Sequence, residues 1–117
     1  MPFMLLIVED PAQRGTRTEA EGRELYRRMV GFGNALRDEG VLVAVESLTS
    51  LDQAARVQVR GGKTQVLDGP FAEAKEMVGG FFVLNCDTRE QALALAARCP
   101  AAEWATVEVR SLGPCFL

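Results

Sequence analysis

The run Asp68-Gly69-Pro70-Phe71-Ala72-Glu73-Ala74-Lys75-Glu76, continuing into Met77-Val78-Gly79-Gly80-Phe81-Phe82, constrains this chain more than any other part of it. Gly69 before Pro70 marks a turn, because the residue preceding a proline is pushed out of the helical region. Pro70 suits the first position of a helix, where its missing N–H is no loss. Asp68 stands where its side chain can accept from the free amides of that first turn. The spacing therefore predicts a short helix from Pro70 capped by Asp68. On a second reading, Asp68, Glu73, Lys75 and Glu76 line a polar site beside a sheet. Gly79-Gly80 then leads into an apolar strand, Phe81 to Cys86.

At 117 residues the chain forms one domain, 1–117, long enough for a real core. Nearly half of it is apolar and a quarter charged, as in an ordinary globular protein. A net charge of -3, with no basic block and few aromatics to stack bases, argues against nucleic acid as a partner. The apolar start Phe3-Met4-Leu5-Leu6-Ile7-Val8 has no basic residue before it and stops at Glu9-Asp10, too short for a signal peptide or a membrane span. Cys86, Cys99 and Cys115 are odd in number and lack C-x-x-C spacing, so neither a disulfide framework nor a zinc site is expected. The chain has no His, the commonest metal ligand and general base. The expectation is a cytoplasmic protein with no metal, no cofactor and no membrane contact.

Residues 3–9 read as a strand buried on both faces. Thr18 and Glu21 make a capping box, and Leu25, Met29, Phe32 and Leu36 recur at helical spacing, predicting a helix over 19–39 that Gly40 ends. Glu19–Arg23 and Glu24–Arg28 would support its exposed side. Val41–Val45 is a second buried strand. Ala55, Val57 and Val59 alternate with Arg56, Gln58 and Arg60, and Gly61-Gly62 turns this strand back into Thr64–Leu67 as a hairpin. Asp87 with Glu90 is a second capping pattern, opening a helix from Arg89 to Arg98 that Cys99-Pro100 stops. Thr106 to Leu112 is the last strand. With the hairpin and the Pro70 helix set aside, the order is βαββαβ, the ferredoxin-like α+β order. Such a sheet carries helices on one face only. Strands apolar on both faces then call for a partner sheet, most simply in a homodimer.

The central run resembles the signature of the DGPF, or YCII-related, domain family. The likeness continues through Phe3-Met4-Leu5-Leu6-Ile7, Arg37-Asp38-Glu39-Gly40-Val41-Leu42, Ala96-Ala97-Arg98-Cys99-Pro100 and Val107-Glu108-Val109-Arg110, in the same order. The resemblance implies a dimeric α+β barrel. It also implies genes often neighbouring those of extracytoplasmic-function sigma factors, and in some relatives enzymes with a His–Asp pair, one branch of them dehydrochlorinating chlorinated hydroxyquinols. This chain departs from that pattern. Where many such proteins place a His, it reads Ala101-Ala102-Glu103-Trp104-Ala105.

The candidate site residues follow from chemistry. Glu73 could act as a general base in a dry barrel, or only complement a helix dipole. Lys75 could hold an anion, or be a solvated surface residue. Arg110 and Arg56 would suit a carboxylate-bearing small molecule if they point inward. Trp104 could be a ligand platform or core packing, and Cys99 lacks a base to activate it. Asp68 and Glu73 are thus the catalytic candidates, and Asp68, Phe71, Glu73, Lys75 and Arg110 the ligand-binding ones. The leading expectation is a non-catalytic interaction or regulatory module tied to a sigma factor. The alternative is a lyase- or isomerase-like enzyme with its site near the Asp68 run.

Overall fold

A computed structural model describes residues 2–117. Phe3–Glu9 (β1) leads through a loop to Glu19–Asp38 (α1), then Leu42–Ser47 (β2). Ala55–Arg60 (β3) and Lys63–Asp68 (β4) form a hairpin, and Met77–Leu84 (β5), Arg89–Arg98 (α2) and Thr106–Ser111 (β6) complete the chain. The four long strands make one sheet in the order β2-β5-β1-β6, every neighbour antiparallel, and β3-β4 stands as a separate two-stranded sheet. This is the ferredoxin-like α+β arrangement with an inserted hairpin. The sheet is open within one chain and does not close into a barrel.

Alternation within β1 decides the layers. Phe3, Leu5, Ile7 and Glu9 are buried, whereas Met4, Leu6 and Val8 are half-buried. On the first face, Leu5, Phe82 and Leu84 meet Phe32 and Leu36 of α1 and Ala92, Leu95 and Ala96 of α2 in one core. Phe32 and Phe82 meet edge to face at 5.2 Å. The second face carries no helix, so β1 is buried on one side rather than both.

Both long helices have capping boxes. Thr18 and Glu21 cap α1 as expected, but α2 is capped by Thr88 with Gln91, one residue later than Asp87 and Glu90. After α1, Gly40 and Val41 donate to the Arg37 and Leu36 carbonyls and close the helix end. Glu19 pairs with Arg23 as expected. Glu24 instead takes Arg27, three residues on, because Arg28 turns away to Glu103 and stacks over Trp104.

Gly61 and Gly62, with φ of 58° and 75°, form the tight two-residue turn of the β3–β4 hairpin. The two strands pair with each other and touch the rest of the fold little. Val57, Val59 and Val66 remain more than half exposed along the arm.

Candidate functional site

The Asp68–Glu76 segment is a clasp at the base of the arm. It forms no helix: Ala74 donates to the Phe71 carbonyl in a single turn, the Gly69–Pro70 peptide is cis, and β5 starts at Met77, two residues before Gly79. Gly69 lies against the turn at Leu51–Gln53 and donates to the Ala54 carbonyl at 2.8 Å. Phe71 is buried, with the Arg56 guanidinium 3.7 Å above its ring. Asp68 is exposed as the last residue of β4, opposite Ala55, and its carboxylate accepts no hydrogen bond among the described residues. The expected cap therefore has no helix to cap. Asp68→Ala should accordingly stay within about 0.5 kcal/mol of the parent in a denaturant melt. A loss well above about 1 kcal/mol would restore a structural role for its carboxylate.

The remaining sequence candidates lie apart. Glu73 is exposed. Lys75 and Glu76 line a shallow cleft with Asp10, Gln13, Glu103 and Trp104. Arg110 sits on β6 beside Met4, on the helix-free face, and reaches only Glu108 at 3.4 Å. Cys99 is packed, its Sγ 3.9 Å from the Met29 sulfur, and burial pushes its thiol up, away from the reactive thiolate. No group of three or more Cys, Asp or Glu able to hold a metal occurs among the described residues.

The polar centre that the fold does build uses Glu9 and Arg14, which sequence reasoning passed over. Glu9 ends β1 on the helix-bearing face and is 8% exposed. Arg14 Nε donates to Glu9 Oε1 at 2.6 Å, while its two terminal nitrogens donate to the carbonyls of Leu48 at 2.9 Å and Gly79 at 3.4 Å. One guanidinium thus ties the ends of β1, β2 and β5. Room for it comes from Gly79, which is the extra residue of a β-bulge: Ile7 pairs with Gly80 and Val8 with Val78. A Cβ on Gly79 would lie 2.3 Å from Glu9 Oε2 and 2.8 Å from Arg14 Nη2. Gly80, in turn, lets the Glu46 carbonyl of the edge strand approach to within 2.9 Å of where its Cβ would be. The signal in the sequence was the phase of β1, since Glu9 continues the Phe3, Leu5, Ile7 series.

Beside this pair runs a groove of about 950 Å³ between α1 and the β2 edge of the sheet. Ile7, Phe82 and Glu9 lie at its floor, Leu25, Tyr26 and Met29 on one wall, and Val45 and Leu48 on the other.

A four-stranded antiparallel sheet with two helices on one face and a clasped hairpin between its second and third strands defines a small ferredoxin-like α+β domain. The YCII-related domain matches residues 1–114. The chain belongs to the YCII-related domain family. A protein of Rhizobium meliloti (strain 1021), called uncharacterized protein R00369, is 30% identical over 96 residues, which is 82% of this chain and 77% of the relative. No helix among the described residues is long and apolar enough to cross a membrane.

Proposed function

We propose that this protein works as a homodimeric, non-catalytic interaction module, two copies joining through the helix-free faces of their sheets to make an α+β barrel. The observation that carries this reading is that face. Met4, Leu6, Val8, Phe81 and Val83 form a half-buried apolar strip through its centre, with Glu108 and Arg110 at one margin and Glu46 at the other. Such a strip in water is the mark of an interaction surface.

Shape supports the same reading. A folded 12.7 kDa monomer exposes about 6,200 Å², but this chain exposes 7959 Å². Its radius of gyration is 16.0 Å against about 13 Å for a compact domain of this length. A standard interface would remove about 800 Å² from each partner. Asp68 and Glu73 are both exposed on the clasp, and among the described residues Arg110 pairs only with Glu108, which favours interaction over catalysis there. Beyond the second copy, the family resemblance supplies an extracytoplasmic-function sigma factor as the protein partner, which co-purification of the two would test.

Sedimentation velocity at micromolar concentration is expected to give a dimer. Leu6→Asp should give a monomer with an unchanged far-UV spectrum, because it buries an unpaired charge only in the assembly. A well-folded wild-type monomer at tens of micromolar would overturn the proposal.

A further inference from the structure

We propose that the groove beside α1 binds an extended apolar molecule bearing a neutral hydroxyl, which donates to Oε2 of Glu9. Glu9 is more than nine-tenths buried, yet only its Oε1 is engaged, by Arg14. Oε2 accepts no hydrogen bond among the described residues, and lies over Gly79 at the groove floor. Among the described residues the one fully buried side-chain polar atom without a partner is Gln13 Oε1, so Oε2 stays open to the groove and can take a donor from there.

The chemistry of that donor follows from the pair. Arg14 already balances the Glu9 charge, so an ammonium group would bring a second cation up against the guanidinium. A carboxylate would set acceptor against acceptor. A hydroxyl donates one proton and adds no charge. The body of the ligand follows from the apolar part of the lining, Leu25, Tyr26 and Met29 on α1 facing Val45 and Leu48 over Phe82. Arg23 and Arg27, which also line the groove, are paired with Glu19 and Glu24. The volume lies within the range of small-molecule sites.

The groove is also long. Gly22, Tyr26, Met29, Gly33 and Arg37 line it at three- and four-residue spacing, a stripe of about 22 Å along the helix. Gly22 is the telling position. Nothing lies within 4 Å of where its Cβ would be, so packing does not require glycine there. Glycine weakens a helix, and here its effect is to leave the wall open.

The test is thermal unfolding of the full chain with 1-octanol, octanoate or octylammonium, three heads on one tail. At ten times its Kd, 1-octanol should raise Tm by about 5 °C, with octanoate and octylammonium at least several-fold weaker. Glu9→Gln should weaken 1-octanol about tenfold, the size of one charge-assisted hydrogen bond. Gly22→Leu fills the groove without touching Glu9 or the core. It should leave the ligand-free Tm unchanged or higher and likewise weaken 1-octanol, which keeps the test alive if Glu9→Gln fails to fold. Equal shifts from all three compounds, no shift from 1-octanol, or full affinity in Gly22→Leu would each overturn the proposal. So would a change in sedimentation of Gly22→Leu, since that would assign the groove to a second copy of the chain.

Discussion

Gly69→Ala is expected to cost the fold about 3 kcal/mol, the upper range for forcing an atom into packed space. The added Cβ would lie 1.9 Å from the Leu51 carbonyl oxygen and 3.0 Å from its carbon, both backbone atoms that cannot swing aside. Relief requires the clasp to lift off the Leu51–Gln53 turn, which breaks the 2.8 Å bond from Gly69 to the Ala54 carbonyl. It would also pull on Phe71 beneath Arg56. Urea melts of the two proteins check this directly. A Gly69→Ala variant within about 0.5 kcal/mol of the parent would show that the clasp is not fastened there.

Arg14→Ala should cost about 2–3 kcal/mol, somewhat below the usual loss for breaking a buried ion pair because the Arg14 side chain is 31% exposed. The variant strands the Glu9 carboxylate, whose side chain is 7% exposed, and removes the donors to Leu48 and Gly79. The sign of the second step is more informative than the first. Adding Glu9→Gln to Arg14→Ala should restore part of the loss, because a neutral amide is cheaper to leave unpaired than a charge. If the double variant were less stable than Arg14→Ala by the full cost of Glu9→Gln alone, the two residues would be energetically independent. The ion pair would then not be what joins the three strand ends.

The elements were legible where local chemistry decides them. Thr18 with Glu21, the period of Leu25, Met29, Phe32 and Leu36, and the Gly61-Gly62 turn each act over a few residues, and each is found in the structure. The Pro70 helix was not, because Phe71 is drawn into a buried site under Arg56 and the chain turns only once. Tertiary packing overrode a sound local signal. The Glu9–Arg14 centre was hidden for a different reason. An unbroken apolar run conceals which of its residues face the helices, so Glu9 reads as the end of a strand rather than as a member of its buried face. Gly79 reads as a strand opener, although its use is to vacate the space that two side chains from elsewhere occupy. Long-range complementarity of this kind leaves no periodic trace.

The β3–β4 arm has a consequence for how the chain folds. Two strands with an uncovered Val57, Val59 and Val66 face are at best marginal in water by themselves. The four-stranded sheet owns a core and can close as one cooperative unit, but the arm's local opening energy is set by whatever shelters it. On that account the arm opens before the sheet, and its amides should exchange with solvent sooner than those of β1 and β5. Melting then runs from the arm inward, and the Asp68–Glu76 clasp, lying at the junction, is where the two regimes meet.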